Sequence, residues 1–392
     1  MARSTLRLYI LGNLAGGGSY HTLTTLAEFK DSRGLGRADV NPERIEDLAQ
    51  SIRDLEAFII NGNPPFAVDR LITLGRKLFA LIFSGRVKAL LGRAAPDDAD
   101  RELRPLEIIV EDKTIAGWPW EYVYNPDDER FLCQSFYPIS RGIFGLFPRD
   151  EPLAGPKTVR ILFVVGASRA DAESNFAEQH RRLDHTFQRL KLTDKGAVIM
   201  DVMQAIEPFD LQSKLQETTP PYDILHFYGH AGFDAEKDEG YLTFDKNDLQ
   251  TPENISQPSG IARRRLYAGQ LGNLLAGRKV RLVFLNACET AVSAPGADPR
   301  RSSVAATLLS SGVPAVIATQ FVMPDNSAHY FATAVYNTLV GGGSMTEAMH
   351  DGRLAMTYDS QQRHPDWGIP VLYASYPDLT IFPALRRKAR RS

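Results

Sequence analysis

Beyond residue 157 the chain alternates between short apolar runs and amphipathic segments, and this alternation constrains its fold more than any other feature. Residues 158–167 (TVRILFVVGA) form a continuous apolar run, of the kind that is buried on both faces of a sheet. Further strands are predicted at residues 197–203, 223–228, 281–287, 315–319 and 369–373, and helices at residues 173–192, 209–216, 268–275, 303–310, 326–339 and 345–358. Strands that alternate with helices are joined by right-handed crossovers. The pattern therefore predicts an α/β domain with a mainly parallel sheet that is flanked by helices on both faces.

The first 150 residues are less regular and predict a smaller α+β region. Residues 6–11 and 106–110 are strand candidates, and residues 66–91 are predicted to form one long helix. Another helix is expected to start at Pro42, because proline suits the first helical position and apolar residues follow at three- and four-residue spacing. The segment 117–122 (GWPWEY) favours an aromatic cluster that fastens a loop to a core, since two tryptophans beside a proline do not suit a regular helix.

Residues 149–156 are rich in proline, glycine and charge, and they are the best linker candidate. We therefore divide the chain into an N-terminal α+β region (residues 1–150), with a regulatory or partner-binding role, an α/β domain (residues 157–385) and a basic tail (residues 386–392). A length of 392 residues agrees with more than one domain.

Charge and hydropathy exclude several classes of protein. The 45 Lys and Arg residues against 47 Asp and Glu residues give a net charge of −2, which provides no whole-chain case for nucleic-acid binding. The basic tail could contact nucleic acid or an acidic partner, but a disordered, solvated terminus is the favoured interpretation. No targeting signal and no apolar run long enough to span a bilayer is visible, so a soluble cytoplasmic protein is expected.

The chain has two cysteines, Cys133 and Cys288. Two thiols do not make a disulfide framework for a chain of this size or a four-cysteine zinc site, and they favour a reducing compartment. Cys133 lies in an apolar stretch without a basic neighbour and is expected to be structural. Cys288 is either a small buried apolar residue or a reactive thiol.

Chemically active side chains follow two of the predicted core strands at the same end. His230 follows the strand at residues 223–228, and Cys288 follows the strand at residues 281–287. The carboxyl ends of parallel strands meet at one edge of a sheet, where ligands and catalytic groups collect. If the two strands are neighbours, the imidazole and the thiol come within reach of each other.

Such a pair is suited to nucleophilic catalysis. An imidazole takes the proton of the thiol, and the thiolate attacks a carbonyl to give an acyl-enzyme. The backbone N–H groups of Ala231 and Cys288 are candidates for the oxyanion hole. Gly229 and Gly232, on either side of His230, are expected to let a substrate backbone approach closely.

Other chemistries find less support. His226 lies inside an apolar run and is expected to be structural, and four residues along a strand place it too far from His230 to share a metal. No G-x-S-x-G elbow and no dinucleotide-binding glycine pattern occurs. We therefore expect neither a metal nor a cofactor.

Three motifs, in this order along the chain, resemble the CHAT family of caspase-related cysteine peptidases. They are HFYGHAGFD (residues 226–234), LNACETA (residues 285–291) and SSGVPAVIA (residues 310–318), and the GWPWEY segment resembles the one that commonly precedes this domain. The resemblance covers residues 105–375 and implies a caspase-like fold, with His230 and Cys288 as the catalytic pair. It also implies a bacterial protease that cuts one chosen protein, in several relatives within a defence or cell-death pathway and sometimes a gasdermin-like pore former. One departure is Ala231, where the family usually has glycine.

Three questions stay open at this level. Asp171 and Glu173 are candidates for a pocket that binds a basic P1 residue, and equally for a helix N-terminus. Residues 292–302 are either a loop that shapes the pocket and is processed on activation, or a plain surface loop. The alternatives to a peptidase are a non-catalytic caspase-like scaffold and a sensor whose N-terminal region binds a signal or a regulatory protein.

Overall fold

The computed structural model describes most of the chain. The described residues are 5–12, 21–61, 68–94, 102–112, 115–146, 155–156, 158–166, 181–188, 197–204, 207–244, 265–287, 303–359, 365–376 and 379–382. Among them, no helix is both long enough and apolar enough to cross a membrane.

Fifteen strands occur in the described residues. They are β1 (Leu6–Leu11), β2 (His21–Phe29), β3 (Ser32–Val40), β4 (Leu106–Val110), β5 (Tyr124–Asn125), β6 (Arg130–Phe131), β7 (Ile139–Ile143), β8 (Val159–Val165), β9 (Val198–Gln204), β10 (Ile224–Asp234), β11 (Glu239–Thr243), β12 (Arg265–Tyr267), β13 (Leu282–Ala287), β14 (Ala315–Thr319) and β15 (Pro370–Ala374).

The described helices number nine, besides three short 3-10 turns. They are α1 (Pro42–Asn61), α2 (Val68–Ile82), α3 (Gly85–Ala94), α4 (described over residues 181–188), α5 (Pro208–Glu217), α6 (Ala268–Leu275), α7 (Val304–Ser310), α8 (Asp325–Val340) and α9 (Met345–Asp359). The 3-10 turns are Trp120–Tyr122, Leu132–Gln134 and Pro365–Gly368.

Thirteen of these strands form one sheet. Its order is β9–β8–β10–β13–β14–β15–β7–β4–β1–β2–β3, and β11 and β12 extend it from the far part of β10. Strands β9, β8, β10, β13 and β14 are mutually parallel, while β15 runs antiparallel to β14. The predicted α/β class with a mainly parallel sheet is confirmed.

The strands after residue 157 are buried because helices cover both faces of the sheet. Leu162 and Val164 of β8 belong to a core that also contains apolar residues of α5, α6 and α7. Ile161 and Phe163 face the opposite way and belong to a second core with residues of α4, α8 and α9. A strand that is covered on both sides has no polar face, which explains the continuous apolar runs of the sequence.

The N-terminal part of the sheet is covered differently. Leu6, Leu8 and Ile10 of β1 alternate with partly exposed residues, and their buried side joins the same core as apolar residues of α1, α2 and α3. The prediction of one helix over residues 66–91 is wrong, because the chain forms two helices that are separated at Phe83 and Ser84. Gly85 has a φ of 52°, a left-handed conformation that glycine adopts without strain and that interrupts an α-helix.

The two parts of the chain share one sheet and one core. β15 pairs in parallel with β7, with Tyr373 opposite Arg141, and this pairing joins the N-terminal strands to those after residue 157. The core that holds Leu6 and Leu8 also holds Phe331 and Val335 of α8. The boundary at residue 150 therefore stays a prediction, and the sheet is continuous across it.

Candidate active site

Five parallel strands end at one edge of the sheet, and the candidate catalytic residues follow two of them. Tyr228 of β10 pairs with Asn286 of β13, and Gly229 pairs with Ala287. On its other side, β10 pairs with β8 as far as Val165. The expectation that the strands before His230 and Cys288 are neighbours is confirmed.

His230 lies where β10 leaves the parallel sheet. It is one residue beyond the last pair with β13, and there it pairs with Thr243 of β11 in an antiparallel hairpin. The side chain is exposed to solvent. A histidine at this position is held by its pairing with β11, directly beyond the last residue that pairs with β13, while the residue stays exposed.

Three predicted site residues, Cys288, Asp171 and Glu173, lie outside the described residues, as do residues 292–302 and the basic tail. Ala287, directly before Cys288, is the last residue of β13 and is buried. Its carbonyl oxygen accepts a hydrogen bond of 2.7 Å from Thr319 Oγ1, at the end of β14. Ala287, which directly precedes Cys288, is therefore held by this hydrogen bond from β14 as well as by its pairing with β10 in the sheet.

The glycines beside His230 have a different role from the one expected. A methyl group on Gly229 would lie 3.0 Å from the ring of Phe227, and a methyl group on Gly232 would lie 2.6 Å from the hydroxyl oxygen of Tyr241. The space above each glycine is taken by an aromatic ring of the protein itself. The expectation that these glycines leave room for a substrate backbone is wrong at both positions.

Ala231 pairs with Leu242 of β11 and packs against the core of α5, α6 and α7. The assignment of its N–H to an oxyanion hole stays a prediction.

His226 is a structural residue, as predicted. It is fully buried, its ring is stacked between Phe163 and Phe284 at centroid distances of 4.2 and 4.3 Å, and Nδ1 is 3.1 Å from the hydroxyl of Tyr336. Burial lowers the pKa of His226 to about 3. Its imidazole is neutral at physiological pH and forms part of an aromatic stack.

Cys133 is structural as well. The side chain is fully buried and its Sγ donates to the carbonyl oxygen of Glu121 at 2.9 Å. Burial raises the pKa of the thiol to about 12. Because the thiolate is the nucleophilic form, Cys133 is unsuited to catalysis.

The GWPWEY segment contains a charged residue whose role the sequence did not reveal. Trp120 and Tyr122 are fully buried, which confirms the aromatic cluster. Between them, Glu121 forms a buried ion pair with Arg141 of β7, with Nη2 and Oε2 2.5 Å apart. Gln320, directly after β14, accepts from Arg141 at 2.9 Å and donates to Glu121 Oε2 at 3.0 Å.

This polar network connects the GWPWEY segment to the catalytic edge, since Gln320 follows Thr319 in the chain. Thr319 and Gln320 lie at the carboxyl end of a buried parallel strand. Polar residues at such strand ends were the reason for selecting His230 and Cys288 from the sequence, and the same criterion applies to Thr319 and Gln320. Among the described residues, no cluster of three or more His, Cys, Asp or Glu side chains is suited to hold a metal ion.

Comparison with known proteins assigns the family. The family model of the CHAT domain matches residues 73–376. The chain belongs to the CHAT domain family. The match begins in α2 and ends just after β15, so the CHAT region includes N-terminal strands of the shared sheet. Comparison with curated protein sequences gives no match.

Solved structures that are similar to this chain include a separase–securin complex and the Arg-specific cysteine proteinase gingipain R. The structure of the Saccharomyces cerevisiae separase–securin complex is similar with a TM-score of 0.51 and 10% sequence identity, over 94% of this chain and 30% of that chain. The Arg-specific cysteine proteinase gingipain R gives a TM-score of 0.46 and 10% identity, over 86% of this chain and 76% of that chain. The complex of Porphyromonas gingivalis RgpB pro- and mature domains gives a TM-score of 0.44 and 9% identity, over 87% and 78%. The CHAT chain thus spans less than a third of the separase chain, and the similarity to separase concerns the fold.

Proposed function

We propose that this CHAT protein is a cysteine endopeptidase in which Cys288 is the nucleophile and His230 is its general base. The observation that supports the pair is the register of β10 and β13, which sets Gly229 opposite Ala287. We propose that this register continues by one residue, which would set His230 opposite Cys288. Adjacent parallel strands are about 4.8 Å apart, a separation that lets the two side chains make a hydrogen bond.

The alternation of side chains along the two strands supports the same pair. His226 of β10 and Phe284 of β13 are opposite each other, and their rings stack on the face of the sheet that carries Tyr336 of α8. Side chains two and four positions further along a strand return to the same face. His230 and Cys288 are each four positions beyond this stacked pair in the sequence, so a strand that continued through Cys288 would direct both side chains toward one face.

The chemical step that we propose is acyl transfer. His230 accepts the thiol proton, and the Cys288 sulfur attacks the carbonyl carbon of the scissile peptide bond to give a tetrahedral oxyanion. The N–H groups of Ala231 and Cys288 are the proposed donors to that oxyanion. As the C–N bond breaks, His230 returns the proton to the leaving amine and a thioester remains. Water then attacks the thioester, with His230 as base, and releases the carboxylate product and the free thiol.

Thr319 is the proposed positioning residue of this site. Its hydroxyl donates to the carbonyl of Ala287, the residue that precedes the nucleophile. The bond fixes the plane of a peptide group at the end of β13, and with it the direction in which the chain continues to Cys288. Thr319 itself does not touch the reacting atoms.

The labelling experiment that tests the pair uses a peptide chloromethyl ketone on the full-length protein, followed by mass spectrometry of both cysteines. We expect fast modification of Cys288 and none of Cys133, and a rate at Cys288 at least 100-fold lower in His230→Ala, because general-base assistance commonly contributes 10²–10⁴-fold. His226→Phe is the matched control, since it removes a histidine from the same strand and should leave the rate unchanged. Equal rates in the wild type and His230→Ala would overturn the dyad.

Endopeptidase activity is tested separately by mapping new protein N-termini in a bacterial lysate to which the wild-type protein or Cys288→Ala is added. A small set of N-termini that appear only with the wild type would support cleavage of a specific protein. If both proteins give the same N-termini although Cys288 is reactive, the scaffold alternative replaces the peptidase. The bacterial defence or cell-death role, with a substrate such as a gasdermin-like pore former, is the context that we propose from the family resemblance.

A basic P1 residue is the substrate preference that we propose, with Asp171 and Glu173 as the acidic residues of the pocket. Chloromethyl ketones that differ only at P1, with arginine, alanine or aspartate, measure this preference directly. We expect arginine to react fastest, and Asp171→Asn combined with Glu173→Gln to remove its advantage over alanine. An unchanged order in the double variant would refute the assignment.

A further inference from the structure

A pocket of about 250 Å³ lies in the N-terminal part of the sheet, apart from the candidate active site. Its walls come from β1, β4 and β7, from the end of β15 and from the last turn of α7. β15 runs antiparallel to β14, and β7 runs parallel to β15. The carboxyl ends of β7 and β15, which border the pocket, therefore point to the edge of the sheet opposite His230.

The pocket contains one buried carboxylate. Glu107 of β4 is 3% exposed, and its Oε2 accepts from Arg7 Nε at 2.7 Å. Burial raises the pKa of Glu107, and Arg7 acts in the opposite direction. Within the described part of the chain, no hydrogen bond reaches the second carboxylate oxygen, Oε1. This atom lies beside Gly142, at 3.1 Å from where a Cβ would be, and both residues line the pocket.

An acceptor of this kind favours a ligand that donates a hydrogen bond. Because Glu107 lines the pocket, a donor placed there would take the place of water at Oε1 and give this oxygen a direct hydrogen bond. The charge of Glu107 is already balanced by Arg7, so the donor need not be a cation. A neutral N–H or O–H group suits the site best.

The rest of the lining is mostly apolar and comes from side chains such as Ile109, Ile143, Phe144, Leu146 and Leu309. Phe144 is 37% exposed, an unusual degree for a large aromatic side chain. A cavity of about 150 Å³ holds benzene, so the volume here suits a molecule with one or two rings. Such a molecule would cover apolar surface that the fold leaves open.

We propose that this pocket binds a small, uncharged, mostly apolar molecule that donates one hydrogen bond to Oε1 of Glu107. The proposal does not depend on peptidase activity. Under this proposal, the N-terminal region detects a ligand of this class.

Helix α7 provides a route from the pocket to the catalytic edge. Leu309, in its last turn, lines the pocket, and Val304 at its start is in close contact with Gly240, where a methyl group would lie 2.8 Å from Val304 Cγ2. Gly240 belongs to β11, the strand that pairs with His230 and the residues after it. The seven residues of α7 span about 10 Å. We infer that an occupant of the pocket changes the reactivity of Cys288 through this helix, an inference that rests on the proposed function.

The binding experiment uses indole as the probe and 1-methylindole as its control, because a methyl group replaces the N–H donor while the two rings stay the same. Full-length protein labelled at isoleucine and leucine methyl groups is titrated with each probe and followed by NMR. We expect indole to shift the methyl signals of Ile109 and Ile143 and to bind at least tenfold more tightly than 1-methylindole. Equal affinities, or shifts elsewhere in the protein only, would overturn the site.

Variants separate the pocket from other apolar surfaces. Phe144→Ala should weaken indole binding severalfold, because the exposed Phe144 ring lines the pocket. Phe209→Ala is the control, since Phe209 is 67% exposed on α5 and does not line the pocket. Unchanged binding in Phe144→Ala, or an equal loss in Phe209→Ala, would refute the assignment.

The link to the active site is measured as the rate of Cys288 labelling at saturating indole. A change of threefold or more that disappears in Phe144→Ala would support it. Indole binding that leaves the labelling rate unchanged would overturn the link. Failure of the proposed peptidase is distinguishable from both, because the NMR titration needs no reactive Cys288.

Discussion

The ion pair between Glu121 and Arg141 should be among the most costly contacts of this fold to break. The two side chains are 0% and 3% exposed, and two hydrogen bonds join them, Nη2 to Oε2 at 2.5 Å and Nε to Oε1 at 3.1 Å. Glu121→Gln keeps the shape of the side chain but removes the charge, and Arg141 then remains buried as an uncompensated cation. Removing one partner of a buried pair typically costs about 3–5 kcal/mol. We expect a loss of that size in the free energy of unfolding, measured by urea denaturation and followed by tryptophan fluorescence.

A surface pair of the same geometry provides the matched control. Arg53 Nη2 and Glu46 Oε1 are also 2.5 Å apart, but these side chains are 52% and 71% exposed. Glu46→Gln should therefore cost about 1 kcal/mol or less. In a double-mutant cycle, adding Arg141→Met to Glu121→Gln should cost far less than Arg141→Met alone, because the two residues are coupled. A loss below about 1 kcal/mol in Glu121→Gln, or an additive cycle, would refute the argument from burial.

Three further outcomes are expected. Burial lowers the pKa of His226 from 6.5 to about 3. Between pH 6.5 and pH 3 this imidazole is protonated in the unfolded chain and neutral in the folded protein, so the free energy of unfolding falls as the pH falls below 6.5. Between pH 7 and pH 5.5 the wild type should lose about 1.2 kcal/mol more than His226→Phe in urea denaturation, and equal losses would contradict the assigned pKa. Thr319→Val removes the donor to the carbonyl of Ala287 and should lower the maximal rate of labelling at Cys288 about tenfold, with little change in inhibitor affinity. Thr319→Ser should retain the rate. A change in affinity alone would indicate that Thr319 does not position the nucleophile. With a pKa of about 12, the Cys133 thiol is a thiolate in about one molecule in ten thousand at pH 8. Iodoacetamide should therefore modify Cys133 only after the protein is unfolded in guanidinium. Fast labelling of the folded protein would show that the thiol is accessible.

Local patterns predicted the elements after residue 157 closely. The predicted strand at residues 315–319 and the predicted helix at residues 268–275 have the bounds of β14 and α6. Long apolar runs and helical spacing are properties of the segment itself, so the sequence displays them directly. The hairpin of β2 and β3 was not predicted, because its strands are rich in threonine, glycine and charge and only one of their faces is buried.

Long-range pairing is what the sequence does not display. Nothing near residue 141 indicates that β7 pairs with β15, a strand more than 200 residues later. The burial of Arg141 and Gln320 also depends on contacts that the local sequence does not show. Both polar side chains are stable inside the protein because they make hydrogen bonds to Glu121, which belongs to another segment. The glycines beside His230 were misinterpreted for a related reason, because Tyr241, which fills the space above Gly232, belongs to another strand.

The pairing of the strands that precede His230 and Cys288 was predictable in part. The rule that active residues follow parallel strands selected both residues, and the pairing of β10 with β13 agrees with it. The same rule applied to β14 would have selected Thr319 and Gln320. Polar residues at the ends of buried strands are therefore worth examining even when they have no obvious catalytic chemistry.

The continuous sheet has a consequence for how this protein can be divided. All five residues of β15 are buried, and β7 occupies its outer side. Residues 157–392 produced alone would present β15 as an open strand edge, a template for aggregation. A protease that cuts between residues 147 and 154 should instead give two fragments that elute together, held by the ladder between β7 and β15 and by their common core. Removal of the N-terminal region is thus an unsuitable switch for this protein. A nicked protein that retains both fragments is the form in which a proteolytic cut would leave the fold intact.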